Sequence, residues 1–243
     1  MFLIAMNKLL ITIPCYNEEL ILKKNIEVLL DYAQKNLSDY KYVFLIIDNA
    51  SDDDTYKIAG QLAVAHSNLL ISQCFEKGRG AALRKGWLKY QGYDVYAYMD
   101  IDLATDLNQF KDLISKVELG NHVSIGSRYI SGAKIKRSPK REFLSRIYNL
   151  LLKMFFNVKF KDAQCGFKAF RGDALQLLLP KTKDNGWFWD TEILILAERA
   201  GYRIYELPVS WLEVRDEIRK SKVSPFVEVV RQLKNIIQLR KRL

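Results

Sequence analysis

The pattern of apolar and polar positions divides the chain into two unlike halves. In the first, short apolar runs alternate with stretches of helical spacing. Leu9–Pro14 (LLITIP) is an apolar run closed by a proline, which predicts a buried strand. From Glu18 to about Asn36, apolar residues fall at Leu20, Ile21, Ile26, Leu29 and Leu30, close to the spacing of a one-faced helix. Tyr42–Asp48 predicts a second strand, Asp53–His66 a second helix and Asn68–Ser72 a third strand. Gly78–Tyr90 predicts a basic helix and Val95–Met99 a fourth strand. This alternation predicts an α/β fold with a mostly parallel central sheet and helices on both faces. Ligands of such sheets gather at the carboxyl ends of the strands. Polar clusters stand at those ends: CYNEE after the first strand, DNASDDDT after the second and DIDLATD after the fourth.

In the second half, Asn121–Gly126 predicts one further strand and Ser127–Lys140 a loop rich in Gly, Ser and Lys. Arg141–Val158 predicts an amphipathic helix, with Phe143, Leu144, Ile147, Leu150, Leu151, Met154 and Phe155 as its apolar positions. Trp189–Ala200 predicts a helix and Tyr202–Pro208 a strand. Pro225–Leu243 predicts a basic amphipathic helix, whose closing Arg240, Lys241 and Arg242 suit the negative end of its dipole. No repeat and no linker divides the chain, so residues 1–243 are expected to form a single domain.

The composition, 49% apolar and 27% charged over 243 residues, excludes a disordered or low-complexity chain. No run approaches the roughly 18–20 apolar residues of a spanning helix. The opening MFLIAMNKLLITIP lacks the basic leader and cleavage site of a secretory signal. Three widely separated cysteines support neither a disulfide framework nor a structural zinc site, and the expected compartment is the cytosol. The net charge of +10 is concentrated. Residues 128–171 hold 12 basic and two acidic residues, and residues 216–243 hold eight and three. Segregated positive charge points to an anionic partner: nucleic acid, lipid headgroups or a phosphorylated substrate.

Three clusters carry candidate chemistry. Asp100 and Asp102, two residues apart after a strand, project to one side and repel each other unless a cation lies between them. Hard Mg²⁺ or Mn²⁺ suits such carboxylates together with diphosphate oxygens. Asp48 ends a buried strand, where it could accept hydrogen bonds from a nucleobase or ribose. Asp53 and Thr55 read as turn and cap residues. In Lys77-Gly78-Arg79-Gly80, glycines at a helix start would let backbone N–H groups approach an anion, with Arg79 adding charge.

PCYNE, DNASDDDT, EKGRGAALRKG and YMDIDLATD, in that order, resemble the family 2 glycosyltransferases of GT-A fold. GSRYISG, SRIYNLLLK, DAQCGFKAF, WFWDTEIL, LPVSW and SKV narrow the resemblance to the polyprenyl-phosphate sugar transferases: the dolichyl-phosphate β-glucosyltransferases first, the dolichol-phosphate mannosyltransferases next. The resemblance implies a nucleotide-sugar half (1–127), an acceptor half (128–215) and a basic C-terminal helix (216–243). It implies that Pro14, Tyr16, Glu18, Asp48, Arg79 and Asp100 surround the donor and that Asp100 and Asp102 hold the metal. Arg128 with Lys134, Arg137 and Arg141 would take the acceptor phosphate, and Asp162, Gln164 and Lys168 would close the site. Asp190, where many family members carry a catalytic base, would position rather than deprotonate, because a phosphate monoester ionises with a pKa near 6. Where the mannosyltransferases have a further metal-ligating Gln, this chain has Ala104.

The implied reaction is inverting transfer of a hexose, from UDP-glucose in preference to GDP-mannose, to a polyprenyl or dolichyl phosphate. The implied location is peripheral, on the cytoplasmic face of a membrane, with the two amphipathic helices on an anionic surface. No segment here reads as the N-terminal membrane anchor of the eukaryotic glucosyltransferases. The rivals are a family 2 enzyme acting on a glycan hydroxyl, for which Asp190 would have to be a true base, and a nucleic-acid-binding protein. No nucleic-acid module is visible, and no nucleic-acid partner is expected.

Overall fold

The computed structural model describes residues 7–213 and 225–243, with the backbone alone for 225–230. The start of the segment read for a leader and the SKV run, Ser221–Val223, lie outside the described residues. In the first half β1 (Lys8–Cys15), α1 (Glu19–Asn36), β2 (Lys41–Asp48), α2 (Thr55–Ala65), β3 (Leu69–Gln73), α3 (Arg79–Lys89) and β4 (Val95–Met99) follow the predicted alternation within two residues at every boundary. Then come α4 (Phe110–Glu118), β5 (Val123–Ser127), β6 (Lys134–Lys136), α5 (Pro139–Phe156), β7 (Phe167–Arg171), α6 (Gly172–Leu178), α7 (Trp189–Arg199), β8 (Ile204–Pro208), β9 (Ser210–Leu212) and α8 (Pro225–Arg242).

The main sheet has seven strands in the order β3-β2-β1-β4-β7-β5-β8. All its pairs are parallel except those of β7, which runs antiparallel between β4 and β5. Alternation along the strands separates two cores. Leu9, Ile11 and Ile13 of β1 pack with α1, α2 and α4, while Leu10 faces the side of α3, α5, α6, α7 and α8. Trp87 centres that second core, against Tyr96, Tyr98, Phe170 and Trp189, and its indole N–H donates to Thr12 Oγ1 at 2.8 Å.

Five elements carry no counterpart in the sequence reading: α4, β7, α6 and the paired strands β6 and β9. Helix α4 had a helical signal, since Phe110, Leu113, Ile114 and Val117 are its buried face. The predicted loop Ser127–Lys140 contains β6, which pairs in parallel with β9. Helix α5 begins at Pro139, two residues before the expected Arg141, because proline suits the first helical turn. Its C-cap, Asn157, is in left-handed conformation at φ 55°.

The predicted apolar stripe of α5 lies mostly outward. Its buried residues are Tyr148, Leu152 and Phe156, whereas Phe143, Leu150 and Met154 are 57–70% exposed. Helix α8 turns Gln232, Ile236 and Leu239 inward and Leu233 and Ile237 outward. Among the described residues, no helix is long and apolar enough to cross a membrane.

Candidate active site

The carboxyl ends of β1, β2 and β4 converge on one rim. Each predicted polar cluster there contains a non-glycine residue in left-handed conformation: Asn17 (φ 54°), Ala50 (φ 58°) and Leu103 (φ 51°). A residue with a Cβ holds this conformation only where its surroundings enforce it, and such strain concentrates at functional sites. Cross-links tie together the two loops that hold Asn17 and Ala50. Asn17 N–H donates to Ser51 Oγ (2.9 Å), Asp52 N–H to Asn17 Oδ1 (2.8 Å) and Glu18 N–H to Thr55 Oγ1 (2.7 Å). Asp53 Oδ1 accepts from Thr55 N–H at 3.0 Å in an Asx turn, but the N-cap of α2 is Asp54 and Thr55 is the first helical residue, so neither Asp53 nor Thr55 is the cap expected. Pro14 and Tyr16 stand at the end of β1, with the Lys77 ammonium 5.5 Å over the Tyr16 ring.

Asp48 is fully buried. Its Oδ2 accepts from Gln73 Nε2 at 3.2 Å, while Oδ1 has no hydrogen-bond partner. A buried carboxylate oxygen without a donor is costly unless a ligand supplies one. Gln73 escaped the sequence reading. Only strand register, which sets Asp48 opposite Gln73, brings it there.

Beyond β4 the chain turns at once. Ile101 enters the core and leaves Asp100 and Asp102 on a pocket shared with Gly166 and Trp211. Asp102 Oδ1 accepts from Ala104 N–H at 3.2 Å, and Asp100 Oδ1 accepts from Arg79 Nη1 at 3.0 Å. Arg79 therefore offsets part of the repulsion that the sequence reading assigned to a cation alone. A Cβ at position 166 would lie 2.1 Å from Asp100 Oδ2, so the pocket floor needs glycine. Among the described residues no three His, Cys, Asp or Glu side chains gather as a metal site. The donor set still fits Mg²⁺ or Mn²⁺: two hard carboxylates in one pocket, with diphosphate and water left to complete the shell.

Behind Asp100 lies a buried charge cluster. Arg79 bonds Asp100 and Asp190 and stacks its guanidinium 4.2 Å from the Trp187 ring centre. Asp190, fully buried, accepts from Arg79 on one oxygen and from Tyr98 OH and Lys168 Nζ (3.0 Å) on the other. Lys168 Nζ also donates to Tyr98 OH (3.1 Å) and to the Cys165 carbonyl. Burial raises the Tyr98 phenol well above its ordinary value, and Asp190 raises it further. Burial lowers the Arg79 pKa, but Asp190 and Asp100 outweigh it and hold the charge firmly.

These contacts correct several expectations. Asp190 stands in the first turn of α7, just after the cap residue Phe188, and both its oxygens are bonded within the protein. Lys168 lies on β7, inside the sheet, rather than over the site. The expected N–H cradle at the start of α3 is filled by protein. Gly78, Gly80 and Ala81 N–H donate to Asn49 Oδ1 (2.7 Å), Gly186 O (3.2 Å) and Asn185 O (3.0 Å).

The expected acceptor cations are also sorted. Arg128 is tied to buried Asp162 by two side-chain bonds of 2.7 and 2.9 Å and by its own N–H at 3.0 Å. Burial alone would raise the Asp162 pKa, but the Arg128 guanidinium holds it below the usual carboxylate range. Gln164 N–H adds a bond to Asp162 at 3.1 Å. Arg141 is paired with Glu213, and Lys134 is exposed on β6. Arg137 lies 5.5 Å over the Trp211 ring, beside Arg128 at 5.6 Å from the same ring. Its Nη1 and Nη2 donate to Tyr129 OH and Ser145 Oγ, both at 3.3 Å, and Glu142 is 4.0 Å from Nη1, while its Nε is buried without a hydrogen-bond partner. Trp211, which joins these arginines to the Asp102 pocket, was seen in the sequence only as part of LPVSW.

A mostly parallel sheet whose carboxyl-end rim carries a turn with two carboxylates facing one pocket is the arrangement of a GT-A-type α/β fold. Residues 10–179 match Glycosyl transferase family 2, and the chain belongs to that family. It is 34% identical over 203 residues to glycosyltransferase AglD of Haloferax volcanii, covering 83% of this chain and 32% of that protein. This chain thus spans about a third of that relative's length. It is 31% identical to a dolichyl-phosphate β-glucosyltransferase of Trichomonas vaginalis, covering 92% of this chain and 71% of the relative. Glucosyl-3-phosphoglycerate synthase of Mycobacterium tuberculosis, crystallised with Mn²⁺, UDP and phosphoglyceric acid, shares the fold. The TM-score is 0.67 at 17% identity, over 96% of this chain and 77% of that one.

Proposed function

We propose that the protein transfers a hexose, glucose in preference to mannose, from a nucleotide-diphosphate sugar to a polyprenyl or dolichyl phosphate. The observation that carries this reading is the Arg128–Arg137 pair on Trp211, at the edge of the Asp100–Asp102 pocket. Asp162 neutralises Arg128, whereas Arg137 keeps a buried Nε without an acceptor. A phosphate beside Trp211 would satisfy it, in the planar geometry that guanidinium offers to oxyanions. Relatives named dolichyl-phosphate β-glucosyltransferases support the same acceptor.

Asp48 would accept an N–H or O–H from the nucleoside on its unpartnered oxygen. Asp100 and Asp102 would hold the divalent cation, which supplies charge neutralisation to the departing diphosphate. Arg79, fixed by Asp190, would keep Asp100 aimed at that position. The acceptor phosphate, already ionised near neutral pH, would attack the anomeric carbon from the opposite face. No general base is required, in keeping with an Asp190 whose oxygens are both bonded. A glycan hydroxyl as acceptor would need Asp190 as the base, and both Asp190 oxygens are already engaged by Arg79, Tyr98 and Lys168.

The outward apolar residues of α5 and α8, flanked by Lys140, Arg146, Lys153, Lys234 and Lys241, suit a peripheral position on the cytoplasmic face of an anionic membrane. The test is transfer of labelled glucose from UDP-glucose to dolichyl phosphate with Mn²⁺ or Mg²⁺. Lipid-linked glucose is expected, and Asp102→Ala should abolish it. GDP-mannose serves as the competing donor. Product formed only on a soluble glycan would overturn the reading.

A further inference from the structure

The segment 183–187 connects the donor side of the site to the far end of the chain. On one side it covers the start of α3, where the Asn185 and Gly186 carbonyls accept from Ala81 and Gly80 N–H, and Trp187 stacks on Arg79. On the other side it is held by α7 and α8. Glu192, only 2% exposed, accepts from Lys183 N–H (2.9 Å) and Asp184 N–H (2.8 Å) and pairs with Arg242 of α8. Asn235 of α8 donates its amide to Asp184 Oδ2 at 2.9 Å, while Asp184 Oδ1 accepts from Gly186 N–H at 2.8 Å. A continuous run of bonds therefore links α8, through Asp184 and Gly186, to the backbone and side chain around Arg79. Arg79 in turn bonds Asp100.

We propose that Asn235 and Arg242 are positioning residues for donor binding: they hold segment 183–187, and through it Trp187 and Arg79, in the place where the nucleotide diphosphate is received. The inference rests on the donor reading above, but not on the identity of the acceptor. Helix α8 also carries the outward Leu233 and Ile237 on its opposite side. The same helix thus joins the surface suited to a membrane with the donor pocket.

The test uses the full chain and titrates UDP with Mn²⁺ by calorimetry. Asn235→Asp sets two carboxylates against each other at Asp184, and the dissociation constant should rise about tenfold. Combining it with Asp184→Asn reverses the pair. The amide introduced at 184 then donates to the carboxylate introduced at 235, while its oxygen still accepts from Gly186 N–H. Affinity should return to within about twofold of the parent. Arg242→Gln should weaken UDP by about fivefold, with kcat at saturating donor retained. An Asn235→Asp variant that binds like the parent, or a double variant as weak as the single one, overturns the proposal. A parent chain that binds neither UDP nor GDP overturns the donor reading and this proposal with it. The rescue separates local positioning from general damage to the fold.

Discussion

Removing Asp190 should cost stability first and activity as a consequence. Here two cations, Arg79 and Lys168, face two anions, the buried Asp190 and the partly exposed Asp100. Asp190→Ala leaves one positive charge in excess, and Lys168 is fully buried with only Tyr98 OH and a carbonyl as partners. Breaking a buried ion pair by deleting one partner costs about 3–5 kcal/mol, because the other charge stays desolvated. In a chain of this size each kcal/mol moves the thermal midpoint by about 2–4 °C, so a drop of roughly 6–20 °C is expected. Asp190→Asn combined with Lys168→Met removes one charge of each sign and leaves Arg79 paired with Asp100. Most of the loss should return. Thermal and urea unfolding, each with CD and fluorescence as probes, measure both variants. A loss below about 1 kcal/mol in the single variant, or a double variant no more stable than the single one, would refute the charge-balance argument. Full stability in Asp190→Asn with transfer abolished would favour a base at this position.

Three further outcomes follow from the geometry. Gly166→Ala places a methyl group 2.1 Å from Asp100 Oδ2, so transfer should fall by about a hundredfold, with the fold kept in circular dichroism. Unchanged kcat/KM would show that Asp100 tolerates displacement. Asp162 has its pKa depressed in the folded state by Arg128. Its contribution to stability is therefore complete above the unfolded value of about 3.9 and is lost as the pH falls below it. Asp162→Asn should flatten that acid limb in unfolding titrations, and an unaltered limb would count against the pair. Binding to vesicles rich in anionic lipid should exceed binding to neutral ones and weaken with salt. Equal retention on both would remove the electrostatic part of the membrane reading.

The elements of the first half were legible because their signals are local. A run such as YVFLIID declares a strand buried on both faces, and the polar residues after each run mark the rim. The cap of α2 was misplaced by one residue: Asp53 makes an Asx turn to Thr55 N–H and the cap falls on Asp54, positions that local composition does not separate. The second half was less legible. Phe167–Arg171 is too short and too mixed to announce a strand, and its antiparallel place between β4 and β5 is set by distant partners. The apolar stripe of α5 lies mostly outward while Tyr148, Leu152 and Phe156 form its buried face, and the sequence could not separate the two, because periodicity reveals a one-sided helix without saying which side the sheet will cover.

The residues themselves determined the alternating α/β order, the three polar rims and the concentration of positive charge after position 127, since all of these depend on neighbours in sequence. Tertiary structure alone decided what each charge faces. Asp190 meets Lys168 from 22 positions away, Tyr98 from 92 and Arg79 from 111. Arg128 is neutralised by Asp162, whereas Arg137 keeps an open donor. A charge buried in a low-dielectric interior must find a partner wherever the chain's topology brings one, and that choice leaves no periodic trace in the sequence.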